Sequence, residues 1–179
     1  ADTFLKFGKK ADSPFFPKAK EIYENIDKLT ENFSQGEYFE QKQTLLKNMK
    51  AVSLLLLGRA YEVLGKLYST EQEVTMNLSD IIIQVFAAES AVLRVQKMQG
   101  IISEDMFTLY KDMIDCYVWD AALKIYKSGM DIVTVISKAD EYLKLQKALR
   151  CLTAVEPINI KDARRRIANK LIEENKYCF

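Results

Sequence analysis

The stretch Glu71–Met98 reads EQEVTMNLSDIIIQVFAAESAVLRVQKM. Val74, Leu78, Ile81, Val85, Ala88, Val92 and Val95 step along it by four and three residues without a break. This spacing puts all seven on one side of a helix, as in the seam of a coiled coil. Ile82, Phe86 and Leu93 make a second apolar stripe, which Glu89 completes, and Asp80, Gln84, Ala87, Ala91 and Arg94 make a third, polar and small. Two adjacent apolar stripes predict a helix that is mostly buried, with its charges on defined faces. Asp80, Glu89 and Arg94 therefore read as structural ion-pair candidates. Glu89 and Arg94 lie about 140° apart around the helix, so each needs a partner on a neighbouring helix. A buried pair of that kind sets register more than it adds stability.

Working outward, the same period recurs. SPFFPKAKEIYENIDKLTENF offers Ser13 as a cap and Pro14 or Pro17 for a first turn, where a missing N–H costs nothing. Ile22, Ile26, Leu29 and Phe33 then predict a first helix ending near residue 34. A second helix is expected over Tyr38–Leu67, with two neighbouring stripes and Ala51, Gly58 and Gly65 seven apart on one face for close backbone approach. Ser69 and Thr70 are the expected caps of the third helix. The fourth starts at Ser103 and carries Met106, Leu109, Met113, Cys116, Val118, Leu123 and Tyr126 as its apolar set, reaching Gly129 or Ile136. A shorter fifth helix stops before Pro157, and a sixth is capped by Asn159 with Ile167 and Leu171 as a thin stripe. The expectation is an all-α, antiparallel helical bundle of four main helices plus short accessory helices. Residues 1–13 are a mobile lead-in, and 14–179 form one domain.

Composition agrees and narrows the chemistry. Six glycines and three prolines in 179 residues are too few turn residues for a β-sandwich or barrel. A net charge of +1 gives no reason to expect nucleic acid. Cys116, Cys151 and Cys178 form no CxxC pair, which suits a reducing compartment such as the cytoplasm. No uncharged run approaches the ~20 residues of a membrane span. The chain opens without methionine and without a signal peptide, as a piece of a longer polypeptide would.

There is no histidine, which removes the commonest general base and the Glu-x-x-His pairs of a di-iron bundle. Paired-carboxylate hydrolysis would use Asp80 or Glu89 as acid and Asp115 or Asp120 as base, at a separation that spacing alone does not set. Arg164, Arg165 and Arg166 are the densest basic cluster, a docking patch for a phosphate, an anionic lipid or another chain's carboxylates, or else a solvated face. No Gly-rich phosphate loop is present, so no nucleotide-cofactor site is expected within the chain.

The ordered motifs carry a resemblance. Glu71-Gln72-Glu73, Asn77-Leu78-Ser79-Asp80 and Ala87-Ala88-Glu89-Ser90-Ala91-Val92-Leu93-Arg94 follow a helix rich in small and apolar residues. The tail adds LQKALRCLTAVEPINIKDARRRIANKLIEENKYCF. Together they resemble the extra C-terminal helical region of bacterial, long-form acyl-CoA dehydrogenases akin to the very-long-chain type, over about residues 45–179. The resemblance implies a non-catalytic structural and docking domain. Its parent would α,β-dehydrogenate a fatty acyl-CoA in β-oxidation and pass electrons through FAD to an electron-transfer flavoprotein. FAD and the catalytic glutamate would belong to preceding domains, and no residue here matches them. The implied partners are the rest of the dehydrogenase, a second copy in a homodimer, and a membrane surface touched peripherally. The alternative is a free-standing helical interaction module that uses Arg164–Arg166 and the C-terminal aromatics.

Overall fold

The computed structural model describes residues 15–30 and 36–179. The lead-in at 1–13, Ser13, Pro14 and Phe33 lie outside the described residues. Six α-helices follow in order: α1 (Phe15–Glu24), α2 (Tyr38–Leu64), α3 (Gln72–Met98), α4 (Glu104–Ile136), α5 (Ala139–Leu152) and α6 (Ile160–Glu174). Two 3₁₀ turns, Ile26–Lys28 and Gly65–Ser69, follow α1 and α2, and no strand occurs among the described residues. The fold is an all-α bundle.

Among the described residues, α2, α3 and α4 are long, and α1, α5 and α6 are shorter. α1 stops at Glu24 because the Asn25 side-chain amide donates to the Glu21 carbonyl and competes for the helix ladder. The following 3₁₀ turn still buries Ile26 completely. α2 opens on a capping box between Glu37 and Glu40. It ends at Leu64, three residues early, because Gly65 takes φ +52°, a conformation only glycine adopts cheaply. Gly65 is thus a stop signal and not a contact surface. Gly58 is the contact: a Cβ there would lie 2.6 Å from that of Ala19, so glycine lets α1 cross α2 closely. Ser69 and Thr70 do not cap α3. Their hydroxyls donate to the Lys66 and Leu67 carbonyls and close the 3₁₀ turn instead.

The α3 seam is buried as its spacing requires, all seven residues from Val74 to Val95 lying in the core against α2 and α4. The opposite side of α3 is not covered, and here the expectation of a mostly buried helix fails. Ile82, Phe86 and Leu93, the second stripe, are exposed.

α4 is the central element, packed against α2, α3, α5 and α6. Ser103 caps it through the Met106 N–H, and the helix runs straight through Gly129, where a Cβ would meet Leu149 of α5 at 2.8 Å. Its buried ridge is Phe107, Ile114, Val118, Ala121, Ile125 and Ile132. Of the apolar set expected from spacing only Val118 is fully buried, and Leu123 is 53% exposed. α4 is apolar around much of its circumference, so the period alone does not select which ridge faces the core.

Candidate functional site

The charged side chains gather at three contacts on α4 and one at the crossing of α1, α2 and α5. On α4, Asp112, Cys116 and Asp120 recur at four-residue intervals and so form one ridge facing α6. Ala163, small and buried, brings α6 close to that ridge. Arg166 donates to both Asp112 carboxylate oxygens at 2.7 and 2.6 Å. Arg164 does the same to Asp120 at 3.1 and 2.8 Å. Arg166 uses two nitrogens in a bidentate fork, whereas Arg164 reaches both oxygens through its Nη2 alone; together the two contacts fix the position of α6 as well as contributing energy. The Arg164–Arg166 cluster is therefore largely a clasp between α6 and α4. Arg165 alone is exposed with no ion pair among the described residues. Between these two contacts, burial pushes the pKa of the Cys116 thiol upward against the opposing pull of Arg164, which favours its protonated form.

Flanking this ridge, where α4 faces α2, Asp115 accepts from the Tyr38 hydroxyl at 2.9 Å and pairs with Lys42 at 2.6 Å. Neither partner was singled out in the sequence. The carboxylates offered as catalytic bases, Asp115 and Asp120, are thus both held by cations. Beside Asp115, a cavity of about 40 Å³ lies between Lys42, Leu45, Trp119 and Val155. That is far below the ~300–1,000 Å³ of a ligand site. A wider depression of about 500 Å³ is bounded by Asp27, Leu143, Gln146 and Lys147.

Tyr38 has a pKa raised well above the ordinary 10.0, first by burial and then by the negative charge and hydrogen bond of Asp115. The stability linked to it is fully present below pH 10 and is lost as pH climbs past that value, because the unfolded chain releases the proton first. Tyr38→Phe is expected to cost about 1 kcal/mol at neutral pH and to flatten the fall of melting temperature above pH 10. A wild-type slope in the variant would rule this out. Tyr23 and Tyr68, also raised by burial, contribute in the same direction.

Of Asp80, Glu89 and Arg94, only Glu89 makes an ion pair among the described residues, with Lys50 of α2. Asp80 and Arg94 are exposed on α3. The residue that sequence reasoning missed at the α1–α2–α5 crossing is Arg59. It pairs with Glu141 and Glu62 and lies 4.5 Å over the Tyr23 ring. A signal existed: Leu45, Val52 and Arg59 are seven apart, so the arginine continues a core stripe. Among the described residues there is no group of three acidic or cysteine side chains able to hold a metal ion. No helix among them is long and apolar enough to cross a membrane.

A family model described as "Acyl-CoA dehydrogenase, C-terminal domain" matches residues 48–151, more than half of the chain. The chain belongs to this family. A probable acyl-CoA dehydrogenase of Bacillus subtilis (strain 168) is 32% identical over 178 residues, which cover 98% of this chain and 30% of that protein. An acyl-CoA dehydrogenase from Bacillus anthracis, solved in complex with FAD, superposes with a TM-score of 0.87 at 26% identity. That match covers 99% of this chain and 30% of the solved one. The chain thus spans under a third of the length of these acyl-CoA dehydrogenases, and the family assignment agrees with the all-α architecture.

Proposed function

We propose that this chain is the helical structural and docking domain of a larger FAD-dependent acyl-CoA dehydrogenase, and that the chemistry resides in the remainder of that enzyme. The observation that carries this reading is the 30% coverage of relatives, one of them held with FAD, by a chain that aligns over nearly its full length. The geometry supports it, because the acidic groups of α4 that face α2 and α6 are engaged in helix-to-helix pairs. The parent reaction would be α,β-dehydrogenation of a fatty acyl-CoA in the cytoplasm, with FAD taking the electrons and an electron-transfer flavoprotein receiving them. The rest of the enzyme is the chief partner, and the enzyme is a homodimer that touches the membrane peripherally.

The test uses the complete polypeptide. Asp112→Asn is expected to lower stability by about 1–2 kcal/mol, since it leaves Arg166 without its charged acceptor. Glu89→Ala is expected to cost under ~1 kcal/mol, because the Lys50 pair is solvent-accessible. Turnover per bound flavin should be unchanged in both. Lost turnover with flavin content and fold intact would assign chemistry to these carboxylates and overturn the proposal.

A further inference from the structure

α3 carries five charged side chains, and they are segregated along its length. Glu73 and Asp80 lie in the N-terminal half, Arg94 and Lys97 in the C-terminal half, and Glu89 is taken by Lys50 of α2. The other four are exposed, and none makes an ion pair among the described residues. Between them the outward side is apolar: Met76 is 66%, Ile83 58% and Phe86 71% exposed. Ser79, Ala87 and Ser90 are the small residues that separate them. A helix apolar on both sides is ordinarily buried on both sides.

We infer that the outward face of α3 is a two-fold interface with a second copy of this chain, the two α3 helices running antiparallel across Ala87. The charge order selects the occupant and its direction. In an antiparallel pair the acidic half of each helix meets the basic half of the other; a parallel pair would set Asp80 against Asp80. Asp80 and Arg94 each stand seven residues from Ala87, so a two-fold axis there places Asp80 level with Arg94 of its partner, about 10 Å from the axis. The same axis sets Ile83 level with Ala91 and Met76 level with Met98. Ala87 on the axis permits the close approach of ~8 Å that small residues allow between helices. The contact is isologous and therefore closes as a dimer. It uses Asp80 and Arg94, two of the four α3 charges that make no ion pair among the described residues.

The experiment is a charge exchange in the complete polypeptide, read by sedimentation equilibrium. Asp80→Arg and Arg94→Asp are each expected to raise the dimer dissociation constant by at least about tenfold, through like-charge opposition. The double exchange should restore it to near the parent value. All three should keep the parent's helical circular dichroism, because both positions are exposed on the single chain. Under mild oxidation Ala87→Cys should yield a disulfide-linked dimer that the parent, with Cys116, Cys151 and Cys178, does not form. This decides the matter if another surface also holds the copies together. Single exchanges without effect, a double exchange that fails to restore association, or no Ala87→Cys crosslink would overturn the proposal and assign the face to another part of the polypeptide. Turnover is not the readout, so this outcome is separable from that of the dehydrogenase reading.

Discussion

Leu78→Asp is expected to abolish the cooperative fold. Leu78 is 2% exposed in the α3 seam and lies within the apolar core. The substitution removes a buried leucine, worth about 2–5 kcal/mol when truncated, and adds either an unpaired charge or the cost of holding an aspartate protonated. The sum rivals the whole of a typical domain's stability, about 5–15 kcal/mol. Thermal melts followed by circular dichroism should lose their sigmoidal transition. Ser79→Asp, one position along on the exposed side, should stay within about 0.5 kcal/mol of the parent. Equal melting temperatures for Leu78→Asp and the parent would mean that α3 is not packed through this seam.

Arg59→Met is the second large effect. The guanidinium, only 15% exposed, joins three helices: it pairs with Glu141 of α5, lies over Tyr23 of α1 and is itself rooted in α2. Its Nε is buried without an acceptor among the described residues, so the group is held there by its two ion pairs and its ring contact. Methionine keeps most of the stem volume and deletes the charge. Glu141, 26% exposed, would then retain the Tyr23 hydroxyl at 3.2 Å as its direct partner. Breaking a fully buried pair costs about 3–5 kcal/mol; partial solvation of Glu141 brings the expected loss to roughly 2–3 kcal/mol. Because much of that is the stranded carboxylate, Arg59→Met/Glu141→Gln should recover at least half of it in urea unfolding. Strictly additive single-variant effects would show that the two groups are not coupled.

How much of this was legible beforehand differs from helix to helix. On α3 one side is lined by Val, Leu and Ile at a single period, and that side is the buried one. On α4 the apolar residues surround much of the helix, and four neighbours compete for it. Spacing therefore misplaced the ridge, choosing Leu123 where Ile125 is buried. The two ends of α2 show the same contrast. Its start falls at Tyr38 as the spacing predicts, whereas its stop depended on whether Gly65 served as spacer or terminator. Those roles have the same local signature, and only the backbone conformation separates them.

The family motifs, the all-α class, the seam of α3 and the caps at Ser103 and Asn159 follow from the chain alone, because each rests on residues within a few turns of one another. The ion pairs do not. Asp112 and Arg166 are 54 residues apart and Asp120 and Arg164 are 44 apart, and a charge carries no record of which distant charge it will meet. Their pairing is settled by the crossing of α6 over α4, which depends on packing volumes summed over both helices. The same holds for Asp80 and Arg94: periodicity puts them on one face of α3, but the arrangement of the other helices leaves that face open.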